Sequence, residues 1–184
     1  KDCADVNRLG WAFAEGAKSA NPEVTVLTSY IDSWYDPAKA EETATAEIEK
    51  AADILYCERV GCEQAAPKAK EKIWVIGQMV DQHNLAPDNT ISSVIWDMGP
   101  TVRYIIDLVR AGPSTWKGKA SDLGPMSFMA AGGTHLAPIH NSIKTQLPAD
   151  LSDFIDEQVQ AVMDGRRTPI IEDSLPPQIK PKTD

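Results

Sequence analysis

Asp53-Ile54-Leu55-Tyr56-Cys57 and Ile73-Trp74-Val75-Ile76-Gly77 are two short apolar runs, and a helical pattern over Gln64 to Lys72 separates them. Runs of this length, rich in β-branched and aromatic residues, are typical of buried strands. Pro67 either starts or kinks the helix between them. Because a helix is the usual crossover between parallel strands, this stretch predicts a βαβ unit and an α/β fold.

The segments on both sides continue the alternation of strands and helices. Val24 to Ile31 is predicted as a buried strand, and the alanine- and glutamate-rich segment Asp36 to Ala52 as a helix. After a loop at His83 to Asn89, Thr90 to Trp96 is predicted as a further strand. The strands Val24 to Ile31, Asp53 to Cys57 and Ile73 to Gly77 are therefore expected to be neighbours in one mainly parallel sheet flanked by helices.

The outer segments predict helices over Asp5 to Ser19, Pro100 to Ala111 and Leu147 to Met163. They also predict a strand over Met126 to Ala131 and an extended tail from Ser174. The chain opens on a helix, whereas a doubly wound lobe normally opens on a strand. We therefore expect the first strand to lie upstream in a longer parent or on another chain.

The composition is that of a globular domain with an acidic surface. The 184 residues include 27 acidic and 18 basic side chains, a net charge of -9, which argues against nucleic acid or an anionic membrane as partner. No stretch has the apolar length needed to span a bilayer. Charged and polar residues follow Lys1 at once, unlike a signal peptide, but a processed product or a piece of a longer chain would also start in this way, so the missing signal does not indicate a cytosolic protein.

Three cysteines, Cys3, Cys57 and Cys62, have no zinc-binding spacing. Cys57 and Cys62 flank the end of a predicted strand, so a disulfide is within reach if the loop folds back. Two small free thiols are nevertheless the favoured interpretation.

Catalytic and metal-binding patterns are missing from the sequence. There is no nucleophile motif, no phosphate-binding glycine loop and no pair of carboxylates at catalytic spacing. The histidines show no metal-ligand spacing and are predicted as surface or loop residues: His83, His135 and His140. No catalytic residue, metal or cofactor is predicted. A nucleoside-processing enzyme of flavodoxin-like fold stays the alternative, since fold does not dictate function.

Ser33-Trp34-Tyr35-Asp36-Pro37 contains the first candidate ligand-binding residues, Trp34 and Asp36. The string follows a predicted strand, and open α/β sheets bind ligands at the carboxyl ends of their strands. Asp36 and Pro37 also suit the N-cap and first position of a helix. Trp34 is expected at the rim of a cleft, although closing the top of the core is an equally good interpretation.

Two further acidic residues follow predicted strands. Glu58 either contacts a ligand at the same edge of the sheet or pairs with Arg59, and the ion pair is slightly favoured. Asp97 either contacts a ligand or caps the helix that starts near Pro100, and the cap is favoured.

Several short strings follow one another in a characteristic order and spacing over about three-quarters of the chain. Each string alone is a weak family signal, but together they are specific. They are Asn21-Pro22-Glu23-Val24, Ser33-Trp34-Tyr35-Asp36-Pro37, Ala52-Asp53-Ile54, Val75-Ile76-Gly77 with Asp81-Gln82, Leu85-Ala86-Pro87, Ser92-Ser93-Val94 and Leu136-Ala137-Pro138. In this the chain resembles the basic membrane protein family of ABC-transporter substrate-binding lipoproteins, of the purine nucleoside-binding type.

The resemblance implies a type I periplasmic-binding-protein-like lobe, from roughly the carboxyl-terminal half of a two-lobe protein. Residues 1–97 would be the second lobe without its first strand, 98–173 the segments that recross the hinge, and 174–184 an extended tail. The missing lobe would dock around Trp96 to Pro100 and Met126 to Gly133. Such a protein is not an enzyme but the periplasmic or membrane-anchored receptor of an ABC importer, with the permease as partner. A structural or sensory subunit is a further alternative.

The resemblance also implies roles for single residues. Trp34 would stack on a purine base or nucleoside in the interlobe cleft, and Asp81 would accept hydrogen bonds from it. Trp96 stands where nucleoside-binding members carry a lysine that holds the ribose, and Met79 where they carry a second aspartate. These departures favour a free purine base or another flat heterocycle, with Trp96 as a second aromatic wall. The family's Gly-Ala-Asp reads Ala51-Ala52-Asp53 here.

Overall fold

A computed structural model describes residues 2–112, 117–118, 129–168 and 170–176. Its sheet has four strands in the order β1 (Ile54–Tyr56), β2 (Trp74–Met79), β3 (Thr90–Trp96) and β4 (Thr134–Leu136). β1, β2 and β3 are parallel to one another, whereas β4 is antiparallel to β3. The predicted α/β fold with a mainly parallel sheet is confirmed, and the bounds of β3 are those predicted.

The described residues form five α-helices beside the sheet: α1 (Ala4–Ala20), α2 (Pro37–Glu49), α3 (Gly99–Arg110), α4 (Asn141–Lys144) and α5 (Leu151–Met163). α1, α2 and α3 lie within three residues of their predicted bounds. The helix predicted from Leu147 starts only at Leu151, because Pro148 disfavours helical backbone at the residue before it. Between β1 and β2 the chain forms a 3-10 helix over Cys62–Lys68, with Pro67 inside it, in place of the predicted helix over Gln64 to Lys72.

The prediction of a strand over Val24 to Ile31 is wrong. Among the described residues, this segment forms a single bridge at Val26 and is not part of the four-stranded sheet. Val26 and Ile31 are buried, so the segment does pack its apolar side chains. Strand propensity reflects how side chains suit a half-buried surface, and it does not supply a neighbouring strand to complete the backbone hydrogen bonds.

The prediction of a strand over Met126 to Ala131 also fails where it can be compared. Residues 126–128 lie outside the described residues, and residues 129–132 form a turn. The strand in this region is β4, which starts at Thr134 and pairs there with Trp96.

The core lies between α2, the 3-10 helix and the first two strands. Small residues dominate it, which lets the helices approach the sheet closely, and its buried members are Ala44, Leu55, Cys57, Ala65, Ala66, Ile73 and Val75. The carboxyl ends of β1 and β2 therefore emerge from a well-packed region. The residues that follow β1 and β2 are therefore attached to strands whose positions are fixed by core packing.

Cys57 and Cys62 form a disulfide, so the interpretation as two free thiols is wrong. Between them the chain turns back through Gly61, whose φ of +107° lies in the left-handed region that glycine tolerates best. A side chain at position 61 would also collide with the backbone of Pro37. The cysteine spacing alone does not reveal this turn. Cys3 is a free thiol.

Residues 170–176 form neither helix nor strand, and they lie against α1. The Asn7 side chain donates to the Asp173 carbonyl at 2.8 Å, and the Trp11 indole N–H donates to the Ser174 carbonyl at 3.0 Å. Arg8 forms an ion pair with the Asp173 carboxylate. These contacts fix the beginning of the predicted tail, whose last eight residues lie outside the described part.

Candidate functional site

The candidate site lies at the edge of the sheet where β1, β2 and β3 end. Because these strands are parallel, the residues that follow them emerge at one edge, which is where α/β sheets bind ligands. Glu58 and Arg59 follow β1, Asp81 follows β2, and Trp96 ends β3. The segment that precedes α2 adds Trp34 to this group through a contact with Arg59.

Trp34 is an exposed residue with 59% of its surface accessible. The central carbon of the Arg59 guanidinium lies over the indole ring, 4.9 Å from its centroid. This distance is within the range of a cation–π interaction. Trp34 therefore does not close the top of the core. It presents a large aromatic surface at the molecular boundary.

Glu58 and Arg59 form an ion pair, the favoured of the two interpretations of Glu58. Their side chains are 16% and 12% exposed. Burial raises the pKa of the Glu58 carboxyl, and the positive charge of Arg59 partly opposes the shift. Two guanidinium nitrogens of Arg59, Nε and Nη2, are buried and have no hydrogen-bond partner among the residues that the structure describes. A ligand contact of Glu58 stays a prediction.

Asp36 caps α2, as the sequence predicts. Its carboxylate accepts the Lys39 N–H at 3.1 Å, and Pro37 occupies the first turn. The capping residue lies two residues after Trp34, so the fixed start of α2 limits how far the Trp34 backbone can move. Its proposed contact with a ligand stays a prediction.

Asp81 belongs to a cluster with two histidines. Its Oδ1 accepts the His83 backbone N–H, and its Oδ2 lies 3.0 Å from His140 Nε2. The rings of His83 and His140 stack with centroids 3.5 Å apart. Burial would raise the pKa of the Asp81 carboxyl, but the His83 hydrogen bond and the neighbouring His140 together lower the pKa below its usual value.

The turn after β2 determines the place of Asp81. Met79 has a φ of +71°, so the chain reverses there, and the Gln82 N–H donates to Ser93 Oγ on β3 at 3.0 Å. The reversal brings Gln82 over Gly77, where a Cβ would lie 2.9 Å from the Gln82 Cβ. A side chain at position 77 would collide with the Ser93 hydroxyl and the Gln82 side chain, so this position requires glycine.

Trp96 and Asp97 follow the third strand. Trp96 is 42% exposed and is separated from β1 by β2, so the ends of β1 and β3 are about 10 Å apart across the sheet. The Asp97 carboxylate accepts the Gly99 N–H at 2.7 Å at the start of α3, which agrees with the predicted helix-capping role. The structure thus brings Trp34 and Glu58 together through Arg59, gathers Asp81 with two histidines, and leaves Trp96 one strand further along.

The Asp81 cluster is the part of the site that the sequence does not reveal. His140 follows Asp81 by 59 positions, and no spacing rule connects them. His135 is exposed and His140 lies in a loop, as predicted, whereas His83 lies in a short 3-10 helix and its ring Nδ1 is buried. Within the described residues, no group of three or more histidines, cysteines or acidic residues is arranged to hold a metal ion.

The arrangement combines aromatic surface, hydrogen-bond acceptors and one buried cation. An indole face stacks on flat rings, whereas ionised carboxylates accept N–H or O–H donors. Such a site suits a flat, polar, uncharged solute. In the described part of the chain, no helix is both long and apolar enough to cross a bilayer.

Residues 4–125 match the family model described as ABC transporter substrate-binding protein PnrA-like, or Bmp. Among curated relatives, the chain is 29% identical over 160 residues to a purine-binding protein of Brucella abortus, covering 86% of this chain and 42% of that protein. It is 28% identical over 111 residues to a putative ABC transporter glucose-binding protein of Haloferax volcanii, covering 58% of this chain and 28% of that protein. The chain spans less than half the length of these relatives.

A similar fold occurs in the solved structure of an ABC transporter solute-binding protein from Conexibacter woesei. The TM-score is 0.63 at 21% sequence identity, and the match covers 91% of this chain and 54% of the other. This likeness concerns the fold. It places nearly the whole chain on about half of a solute-binding protein.

Proposed function

Because the chain belongs to the PnrA-like (Bmp) family of ABC transporter substrate-binding proteins, we propose that it supplies one lobe of a receptor for a purine base or nucleoside. The ligand lies in a cleft between this lobe and a second one, and an ABC permease takes it up. The receptor acts outside the cytoplasm, free or anchored to a membrane, and it releases its ligand unchanged.

The observation that carries the proposal is the exposed indole of Trp34 at the carboxyl edge of the sheet. Stacking of a base on an aromatic side chain contributes about 1–3 kcal/mol and does not depend on which base it is. The name of the Brucella relative supports a purine in this position. Trp96, at the end of β3 and separated from β1 by β2, supplies a second aromatic wall.

Asp81 provides directional recognition. Both of its oxygens already have one partner, but each carboxylate oxygen accepts a second hydrogen bond. The side chain is 38% exposed, so a ligand N–H or sugar hydroxyl can reach it. Asp36 and Glu58 flank the site. In our proposal they affect the ligand indirectly, Asp36 by capping α2 and Glu58 by pairing with Arg59.

The second lobe is proposed from an exposed apolar face. Val102, Ile106 and Val109 on α3 are exposed, as are Trp96 and Met98 just before the helix. Side chains of this kind on one helix face are normally covered by another element. A further lobe of the same or a partner chain would cover them. The length of the Conexibacter protein, about twice the matched part, supports this reading.

Calorimetry on the complete two-lobe protein tests the proposal. We expect saturable binding of adenine, hypoxanthine or guanosine, and chromatography should recover the ligand intact. Glucose and leucine serve as comparison solutes, glucose because one relative is named for it. Affinity for purines no better than for glucose or leucine would end the assignment. Release of free base from guanosine would favour the enzyme alternative.

A further inference from the structure

Arg59 is buried to an extent that is unusual for an arginine, with only 12% of its side chain exposed. One guanidinium nitrogen pairs with Glu58, whereas Nε and Nη2 have no hydrogen-bond partner in the described part of the chain. Unpaired buried donors are unfavourable. The ion pair and the contact with the Trp34 ring, 4.9 Å away, are the interactions that offset this burial.

The loop that carries Arg59 is fixed at both ends. The Cys57–Cys62 disulfide closes it, and the Gly61 N–H donates to both carboxylate oxygens of the buried Glu63, at 3.1 and 3.0 Å. Gly61 lies directly against Pro37, which leaves no room for a side chain there. Pro37 begins α2 three residues after Trp34, so the loop is held against the segment that it supports.

We propose that Arg59 is a positioning residue that holds the Trp34 indole in the orientation that stacks on the ligand. In this proposal the Cys57–Cys62 disulfide keeps the Arg59 guanidinium against the ring. The inference rests on the proposed function insofar as the ligand stacks on Trp34. A ring held in place before binding loses less side-chain freedom when the ligand arrives.

Fluorine NMR of the full chain labelled with 5-fluorotryptophan tests the positioning without any ligand. Trp34→Phe identifies the Trp34 resonance. We expect Arg59→Ala to shift or broaden that resonance, and Cys57→Ser/Cys62→Ser to do the same. Lys72→Ala is the matched control, because Lys72 Nζ lies 4.5 Å from the centroid of the Trp74 ring and its loss should move only the Trp74 resonance.

Hypoxanthine binding to the complete protein tests the consequence. Arg59→Ala should weaken binding about three- to thirtyfold, the size of a cation–π contact. Arg59→Lys should restore part of the affinity, since an ammonium group also lies favourably over an indole. Lys72→Ala should bind as the wild type does.

An unmoved Trp34 resonance in Arg59→Ala overturns the inference, whatever happens to binding. Loss of binding with an unmoved resonance would make Arg59 a direct ligand contact instead. If the resonance moves but the wild type binds no purine, the proposed function fails while the positioning of Trp34 by Arg59 stands. Should Arg59→Ala not fold, Arg59→Gln provides the same test, because it removes the charge while keeping a long side chain, and reduction of the wild-type disulfide tests the second part of the proposal.

Discussion

Asp81 and His140 meet at 3.0 Å across 59 positions of sequence, and the contact joins the turn after β2 to the start of α4. His83 completes the group, since its backbone N–H donates to Asp81 and its ring stacks on His140. Asp81 is therefore held from two sides. A carboxylate fixed in this way points its remaining lone pairs in defined directions.

We expect Asp81 to stabilise the fold at neutral pH and to lose this effect in acid. Its pKa is lowered in the folded state, so the contribution is present above the ordinary aspartate pKa of about 3.9 and disappears as the pH falls through the folded pKa. Because the side chain is 38% exposed, the effect should stay below about 1 kcal/mol. Urea unfolding of wild type and Asp81→Asn at several pH values between 7 and 3 measures it.

The control for this experiment is the double variant Asp81→Asn/His140→Asn. Once His140 is replaced, the Asp81 substitution should have a smaller effect, because the two side chains share one interaction. A difference between wild type and Asp81→Asn that grows as the pH falls from about 4 to 3 would contradict the assignment, since Asp81 loses its charge in this range.

Trp34→Ala should weaken purine binding to the complete protein by ~1–3 kcal/mol, roughly five- to 150-fold, because the stacked face is lost. Calorimetric titration measures the change. Tyr35→Ala is the matched control, since Tyr35 is a neighbouring exposed aromatic residue with no assigned role. Equal losses in the two variants would mean that the segment as a whole matters, and not the Trp34 ring.

Asp81→Asn should weaken the same binding by ~1.5–3 kcal/mol, the range for a hydrogen bond to a charged group. The amide keeps the shape of the side chain but loses the charge and one acceptor oxygen. Isothermal titration at neutral pH, with the exposed Asp88→Asn as control, measures it. Unchanged affinity in both Asp81→Asn and Trp34→Ala would remove these residues from the site while leaving the ligand class open.

Ala51→Gly should stabilise the protein by ~1 kcal/mol. Ala51 has a φ of +71° after the end of α2, and the N–H groups of Ala51 and Ala52 donate to the carbonyls of Ile48 and Glu47. This is a helix end that glycine fits without strain. The shift of the urea midpoint measures it, and Ala46→Gly within α2 should have the opposite sign. A destabilised Ala51→Gly variant would contradict the strain argument.

Removal of the disulfide by Cys57→Ser/Cys62→Ser should lower the free energy of unfolding by ~2 kcal/mol, the loop-closure value for so short a loop. Thermal or urea unfolding measures the loss. Cys3→Ser should leave stability unchanged or slightly raised, since Cys3 is free and serine suits the N-cap of α1. A double variant as stable as the wild type would show that the bridge does not constrain the unfolded chain.

The sequence predicts those features that depend on neighbouring residues. The bounds of β3, the Asp36 cap and the amphipathic α3 follow from local pattern and helix-end chemistry. The family resemblance, drawn from strings in a fixed order, is confirmed by the family match over residues 4–125.

Features that need a distant partner escape prediction. Val24 to Ile31 has the composition of a strand, but whether it joins the sheet depends on a neighbour that the composition does not specify. The disulfide depends on the turn at Gly61. The contact of Asp81 with His140 depends on where the segment after β4 passes the turn that follows β2. Local signals do not contain these contacts, which only the folded chain creates.

The contact between α1 and the segment around Asp173 has a consequence for the kinetics of folding. Asn7 and Asp173 are 166 positions apart, so their meeting must close a very long loop. We expect contacts of such high sequence separation to form late, after the sheet and its crossovers have brought the ends together. Such contacts would act mainly on the rate at which the native state opens, and would leave the rate at which it forms almost unchanged. We therefore expect the lifetime of the native state and the speed of its formation to be governed by different regions of the chain.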